Sequence, residues 1–325
     1  MITAAVSEMV LATNRNILQK FHPGSPLTEE ASEVVHKLPN LRVLSVIIEK
    51  ETSLSSASLP NLTELEITCD SGDVWSQLFH GATFGKLESV TFHYFQEIIG
   101  DFLGTFERVA LSSSLHNTLS KLSLFTKLPW NPNYSSLLSF TQLVDLDIGF
   151  LCHDGCSSTV DDDIVINLSR AMPKLRELKL GEGPCEDSTT GVTVKGLVAL
   201  ALHCQGLWYL RIHFQVASLS VSPASPGVIH NAEPTGSWTD CALREIAVGE
   251  IVVPEESALT VALTLLYIFP RITTIFYDGE GWGKVEDAIH LSRRIVDCSS
   301  KHHPLTTCRN DFDDTFAGAT LQTGR

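Results

Sequence analysis

The sequence predicts an α/β solenoid, a curved array in which a parallel sheet lines the concave face and helices cover the convex one. Three observations lead there. An apolar triplet with Leu-x-x-Leu-x-Leu spacing recurs nine times along the 325 residues. The last two apolar places of each triplet alternate with polar neighbours, as in "LTELEIT" and "LRELKL", which is the period of a strand buried on one face. Segments with helical spacing separate the triplets. A unit of one strand and one helix cannot bury its apolar side alone and must stack on its neighbours.

Taken in order, the triplets are Leu41/Leu44/Val46, Leu62/Leu65/Ile67, Leu87/Val90/Phe92, Leu119/Leu122/Leu124 and Leu143/Leu146/Ile148, then Leu175/Leu178/Leu180, Leu207/Leu210/Ile212, Leu243/Ile246/Val248 and Ile272/Ile275/Tyr277. First members lie 21, 25, 32, 24, 32, 32, 36 and 29 residues apart, so the unit is irregular in length. The first two triplets each follow "LPN", whose proline and asparagine mark a turn between helix and strand. An apolar residue often stands three places ahead of the triplet, at Leu38, Leu59, Phe84, Phe140, Met172, Cys204 and Phe269, extending the pattern into the end of the preceding helix. The helical segments include "SGDVWSQLFHGA", "DDDIVINLSRAM", "GVTVKGLVALALHC" and "EESALTVALTLLYIF", with Ser71, Asp161 and Thr190 as candidate N-caps. A doubly wound domain also alternates strand and helix, but its central strands are covered on both faces and read as unbroken apolar runs.

Three regions follow. Residues 1–37 are expected to form an N-terminal helical cap broken at "HPGSP", residues 38–298 the repeat domain, and residues 299–325 a mobile tail without apolar periodicity. A Ser/Pro/Gly-rich stretch over 214–240 reads as a loop inserted between the seventh and eighth units.

Composition narrows the partners. With 43% hydrophobic residues the chain can bury a large core, and its formal net charge of −15 argues against nucleic acid and against anionic membrane surfaces. The N-terminal stretch lacks the basic start and unbroken apolar run of a secretory signal, and the longest apolar run, Val261 to Phe269, is too short to span a bilayer. The expectation is therefore a cytoplasmic or nuclear protein whose eight cysteines stay reduced.

Several stretches invite a chemical reading, and each has a plainer one. "CHDGC" (Cys152, His153, Asp154, Cys156), with His302, His303 and Cys308, lacks the second cysteine pair at defined spacing that zinc sites show, so no metal site is expected. "DGEGWGK" (Asp278 to Lys284) fails both phosphate-loop patterns and reads as a tight turn from strand to helix. Asp161 to Asp163 reads as a helix start, where carboxylates offset the dipole. Cys204 reads as a small core residue. No catalytic motif and no cofactor motif emerges.

Function is sought instead in the residues between the leucines, which would form ladders on the concave face. These are Arg42, Ser45; Glu64, Glu66; Ser89, Thr91, His93; Lys121, Ser123; Asp145, Asp147; Glu177, Lys179; Tyr209, Arg211, His213; Glu245; and Thr274, Phe276. Most are ordinary solvated groups. The stretch "WYLRIHF" stands out because it gathers Trp208, Tyr209, Arg211 and His213, residue types that dominate protein interfaces. With Glu177, Lys179 and Phe276 they form the candidate protein-binding set.

The triplets match the leucine-rich-repeat pattern. More narrowly, "MPKLRELKLGEG", "GVTVKGLVALALHCQGLWYLRIHF" and "GWGKVEDAIHLSRRIVD" resemble fungal F-box/leucine-rich-repeat proteins, over Leu38 to Ile295. The resemblance implies a horseshoe that recognises a protein without catalysis, as the substrate receptor of an SCF-type ubiquitin ligase that engages a ligase adaptor through an F-box. Residues 1–37 hold no convincing F-box, so that role needs a longer form. The alternative is a freestanding repeat adaptor or truncated product, and an enzyme built from the junction loops is a third reading. The Asn or Cys three places beyond the strand in this family is replaced by Asp70, Leu151, Gly183 and Gln215.

Overall fold

A computed structural model describes residues 16–35, 37–48, 58–69, 83–94, 103–104, 106–107, 115–126, 133–150, 160–181, 191–219, 240–249 and 251–300. The fold is α/β. Ten strands form one sheet: β1 (Lys20–Phe21), β2 (Val43–Ile48), β4 (Glu64–Cys69), β6 (Ser89–Tyr94), β7 (Lys121–Thr126), β8 (Asp145–Phe150), β9 (Glu177–Leu180), β10 (Tyr209–Ile212), β11 (Glu245–Gly249) and β12 (Thr274–Tyr277). Their spatial order is their sequence order, and every pairing is parallel. The order lacks the reversal at which a doubly wound sheet changes direction. Two-residue strands β3 (Ser58–Leu59) and β5 (Thr83–Phe84) pair with each other beside it.

The triplets set this register. Leu44, Leu65, Val90, Leu122, Leu146, Leu178, Leu210, Ile246 and Ile275 are successive partners across the sheet, and all are buried. Every triplet position is buried except the last, Tyr277, which is 37% exposed and so is not the core residue its place predicts. Only α6 (Trp282–Ser300) follows β12, and no further strand packs beyond Tyr277 among the described residues.

The seven apolar residues that stand three places ahead of a triplet are all buried. Met172, Cys204 and Phe269 are the C-caps of α2 (Asp162–Ala171), α3 (Val194–His203) and α5 (Ala258–Ile268), each N–H donating to the carbonyl four residues back. Leu59 and Phe84 hold the same place in the units of 21 and 25 residues, on extended β3 and β5.

One backbone motif recurs at the start of each of the nine longer strands. The carbonyl of Arg42 accepts from Thr63 N and Glu64 N at 2.8 and 3.0 Å, and that of Thr63 accepts from Glu88 N and Ser89 N. The carbonyls of Glu88, Ser120, Val144, Arg176, Trp208 and Arg244 do the same for the next unit, and Gln19 does so for Arg42 and Val43. A carbonyl has two lone pairs, so one acceptor satisfies two amides that a parallel sheet would leave open at its edge.

Helix starts are tied across units. Asp161 caps α2 by accepting from Ile164 N at 2.9 Å, as its sequence position predicts. The next residue, Asp162, reaches the following unit, where its carboxylate accepts from Thr193 N (2.7 Å), Thr193 Oγ1 (2.6 Å) and Gly196 N (2.9 Å). Thr193 in turn caps α3, three residues beyond Thr190, which lies outside the described residues with Ser71. At the other end, the "DGEGWGK" turn places Gly281 at φ +85°, with its α-carbon facing the Val253 carbonyl so closely that a β-carbon would stand 2.0 Å from the oxygen. Trp282 then begins α6 fully buried, donating to Ile251 O at 2.6 Å.

Three boundaries shift. Among the described residues the strand array begins at Lys20, and the region ahead of the first triplet contributes there β1 and one helix, α1 (Glu29–Val35); β1 forms because Gln19 to Phe21 present an edge that pairs with Val43 and Leu44 while burying Phe21. Residues 214–219 of the expected insertion belong to the core, since Phe214 and Leu219 are buried and α4 (Val216–Leu219) packs there; residues 220–239 lie outside the described residues. Helix α6 runs to Ser300, two residues into the expected tail, whose remainder lies outside the described residues.

Removing the centre of one triplet should open a cavity between two stacked units. Leu178→Ala is expected to cost about 3 kcal/mol in urea unfolding, within the range for buried leucines. Asp162→Ala leaves the α3 amides and the Thr193 hydroxyl without their acceptor and should cost about 2 kcal/mol, a loss that Asp162→Asn restores only in part.

Candidate functional site

The strands bury one side and leave the other half-exposed, as the alternation of β2, β4, β7, β9 and β10 shows. On the open side the register lines up two rows. The first holds Val43, Glu64, Ser89, Lys121, Asp145, Glu177, Tyr209, Glu245 and Thr274; the second holds Ser45, Glu66, Thr91, Ser123, Asp147, Lys179, Arg211, Ala247 and Phe276. Arg42 drops out of the expected ladder. It precedes β2, and Val43 takes its place because side chains on one face of a strand repeat every second residue.

Within these rows the structure brings together most of the candidate set. Lys179 Nζ lies 3.3 Å from Glu177 Oε2 on its own strand and 3.4 Å from Asp147 Oδ2 on the neighbouring strand. The same ammonium stands 5.5 Å from the centre of the Tyr209 ring. Tyr209 is 6.5 Å from Phe276 two strands away, across the small buried Ala247, and 5.9 Å from Trp208. Trp208 and Phe276 are exposed at 37% and 48%, so the aromatic group presents open ring surface.

Burial of the charges is partial, and it sets their protonation. Burial alone would lower the Lys179 pKa, but the Asp147, Asp145 and Glu177 carboxylates together hold it above its ordinary value. Asp145 moves the other way for a carboxylate: burial and then the charge of Glu177 push its pKa up, against the pull of Lys179 and Lys121. Lys179 is therefore engaged within the sheet, and the groups available to a partner are the aromatic rings.

Arg211 follows Lys179 in the second row. His213 stands apart from the exposed set, because β10 ends at Ile212 and the imidazole turns against Gly249, where Nε2 would stand 3.0 Å from an added β-carbon. Burial, then the Arg211 charge, lower its pKa, so the ring is neutral at pH 7. A second aromatic contact on this face was not singled out by sequence: His93 stacks on Phe125 at 5.1 Å with Nε2 3.3 Å from Glu66 Oε1. Phe125 directly follows a core triplet, and only register shows that it shares a face with His93.

Cys204 is fully buried, and burial pushes its thiol up to about 12, which fits a core residue. Cys152, His153, Asp154, Cys156, His302, His303 and Cys308 lie outside the described residues. Among the described residues no three His, Cys, Asp or Glu side chains gather as a metal site would require, and no helix is long and apolar enough to cross a membrane. No protein-family model matches this chain, and no curated protein matches it.

Asp145 gives a test of these electrostatics. A carboxyl whose folded pKa is raised weakens the fold once it ionises, so its unfavourable contribution is absent below the unfolded value near 3.8 and grows as pH rises through the folded one. Asp145→Asn should therefore raise the thermal midpoint at pH 7, with the gain vanishing near pH 3, as followed by circular dichroism.

Proposed function

We propose that this chain is a leucine-rich-repeat solenoid, a horseshoe whose sheet lines the concave face, and that it works as a non-catalytic scaffold binding a protein there. The observation that carries the reading is the in-order parallel sheet with a half-exposed side on which Trp208, Tyr209 and Phe276 present a connected aromatic surface beside Arg211. Aromatic and arginine side chains give large contact area at small entropy cost, which is why they dominate interfaces. Around them, the paired Glu177, Lys179 and Asp147 form a rim of limited net charge.

The finer role rests on the resemblance to F-box/leucine-rich-repeat proteins. On that reading the scaffold selects substrates for an SCF-type ubiquitin ligase, with the ligase adaptor held by an F-box in a longer form. Affinity purification of the native protein with mass spectrometry tests it: an adaptor and a cullin should co-purify, and partners recovered without them assign a freestanding adaptor.

The binding face has its own test. Tyr209→Ala combined with Arg211→Ala should abolish recovery of the native partner in a pull-down while leaving the far-ultraviolet spectrum unchanged. Undiminished recovery would place the interface elsewhere.

A further inference from the structure

Away from the half-exposed side of the sheet, helix α5 carries apolar side chains all round. Val261, Ala262, Leu265 and Ile268 are buried in the core, whereas Leu259 and Leu263 are 58% and 47% exposed. Four residues apart, these two leucines lie on one line of the helix, and Leu266 and Pro270 continue it at the same helical spacing. There the line enters the wall of a cavity of about 620 Å³ between the end of α5 and α6. A helix on a protein surface ordinarily turns a polar face to water, and one that is apolar all round is ordinarily covered.

The position of α6 shows which part of the chain is at hand. Lys284 Nζ lies 2.6 Å from Glu255 Oε1 just ahead of α5, and Arg293 Nη2 donates to Pro270 O at 3.1 Å just beyond it, so the two helices run side by side in one direction. From Arg293 to Ser300 the helix continues for about 10 Å past the end of α5. Residues 301–325 therefore set out beside the apolar line. Among them is "DFDDTF" (Asp311 to Phe316), in which two phenylalanines stand four residues apart, like Leu259 and Leu263, amid three aspartates. The chain between Ser300 and Phe312 spans up to about 36 Å, more than the roughly 16 Å that separates the level of Ser300 from that of Leu266. Charge matches as well, because the cavity wall carries arginines, with Arg244 and Arg271 exposed, and no carboxylate among its described residues. Each arginine serves an aspartate by its own field, without the guanidinium groups meeting.

We propose that residues 311–316 of the same chain cover this line. Phe312 enters the cavity against Leu266 and Pro270, its flanking aspartates lie towards Arg271 and Arg244, and Phe316 rests on Leu263 and Leu259. The contact closes the outer side of the last unit, where a repeated array has no following unit to supply cover.

Amide exchange of the full chain, read by mass spectrometry, tests this against a synthetic peptide of residues 301–325. Amides of residues 312–316 should exchange at least tenfold more slowly in the protein than in the peptide. Leu263→Ser, and separately Phe312→Ser against its own peptide, should bring the two within twofold, and Arg271→Gln should weaken the protection at least threefold. Leu263 and Arg271 are exposed, and unchanged thermal melting verifies that their variants fold. Exchange in the native chain at the peptide rate, or protection that survives Leu263→Ser, overturns the proposal. Protection that falls on dilution assigns the segment to a second copy and overturns docking within one chain, and full protection in the Arg271→Gln protein overturns the ionic part of the contact.

Discussion

Each unit of this protein gives its neighbour one carbonyl, and the strand order depends on it. From Gln19 to Arg244 the same backbone oxygen accepts two consecutive amides of the following strand. That bond pair fixes where the next strand starts, and a shift of one residue would turn its apolar side chains to water. With the start fixed, the triplets fall into register and the leucines of successive units meet in one core. The rows on the open side are the other half of the same constraint. Glu177, Tyr209 and Glu245 are neighbours because Leu178, Leu210 and Ile246 are.

Sequence revealed the strands and much of the candidate surface because both follow from a period of two. Triplet spacing marked the nine longer strands, and the place before each triplet marked the helix ends at Met172, Cys204 and Phe269. What stayed hidden has no local pattern. Lys20 and Phe21 form a strand only because Val43 and Leu44 offer an edge. Tyr277 carries the triplet spacing without a further strand among the described residues to cover it. Arg42 stands between two leucines in the sequence, whereas the phase of the strand belongs to Val43.

The candidate surface was legible in composition and hidden in its pairing. Tyr209 and Phe276 lie 67 positions apart, and their approach depends on the small Ala247 between their strands. Lys179 reads from sequence as a contact residue, yet Asp147 and Glu177 hold it within the sheet, so it orders the surface more than it offers charge. The tie from Asp162 to Thr193 and Gly196 is likewise a long-range event, in which one carboxylate satisfies the helix start of the next unit. The chain thus places polar contacts between units, where neighbouring units must be aligned.

The fixed strand starts also explain how a unit can vary from 21 to 36 residues without disturbing the rest. Both ends of the alignment, the shared carbonyl and the triplet, fall within about eight residues of one another, so added or lost length is taken up on the helical side. Extended β3 and β5 serve the units of 21 and 25 residues, and helix ends serve the longer units that close at Met172, Cys204 and Phe269. Over evolutionary time such an array can accept insertions and deletions behind the sheet while the opposite surface keeps its geometry, so residues there can diversify one at a time on a constant frame.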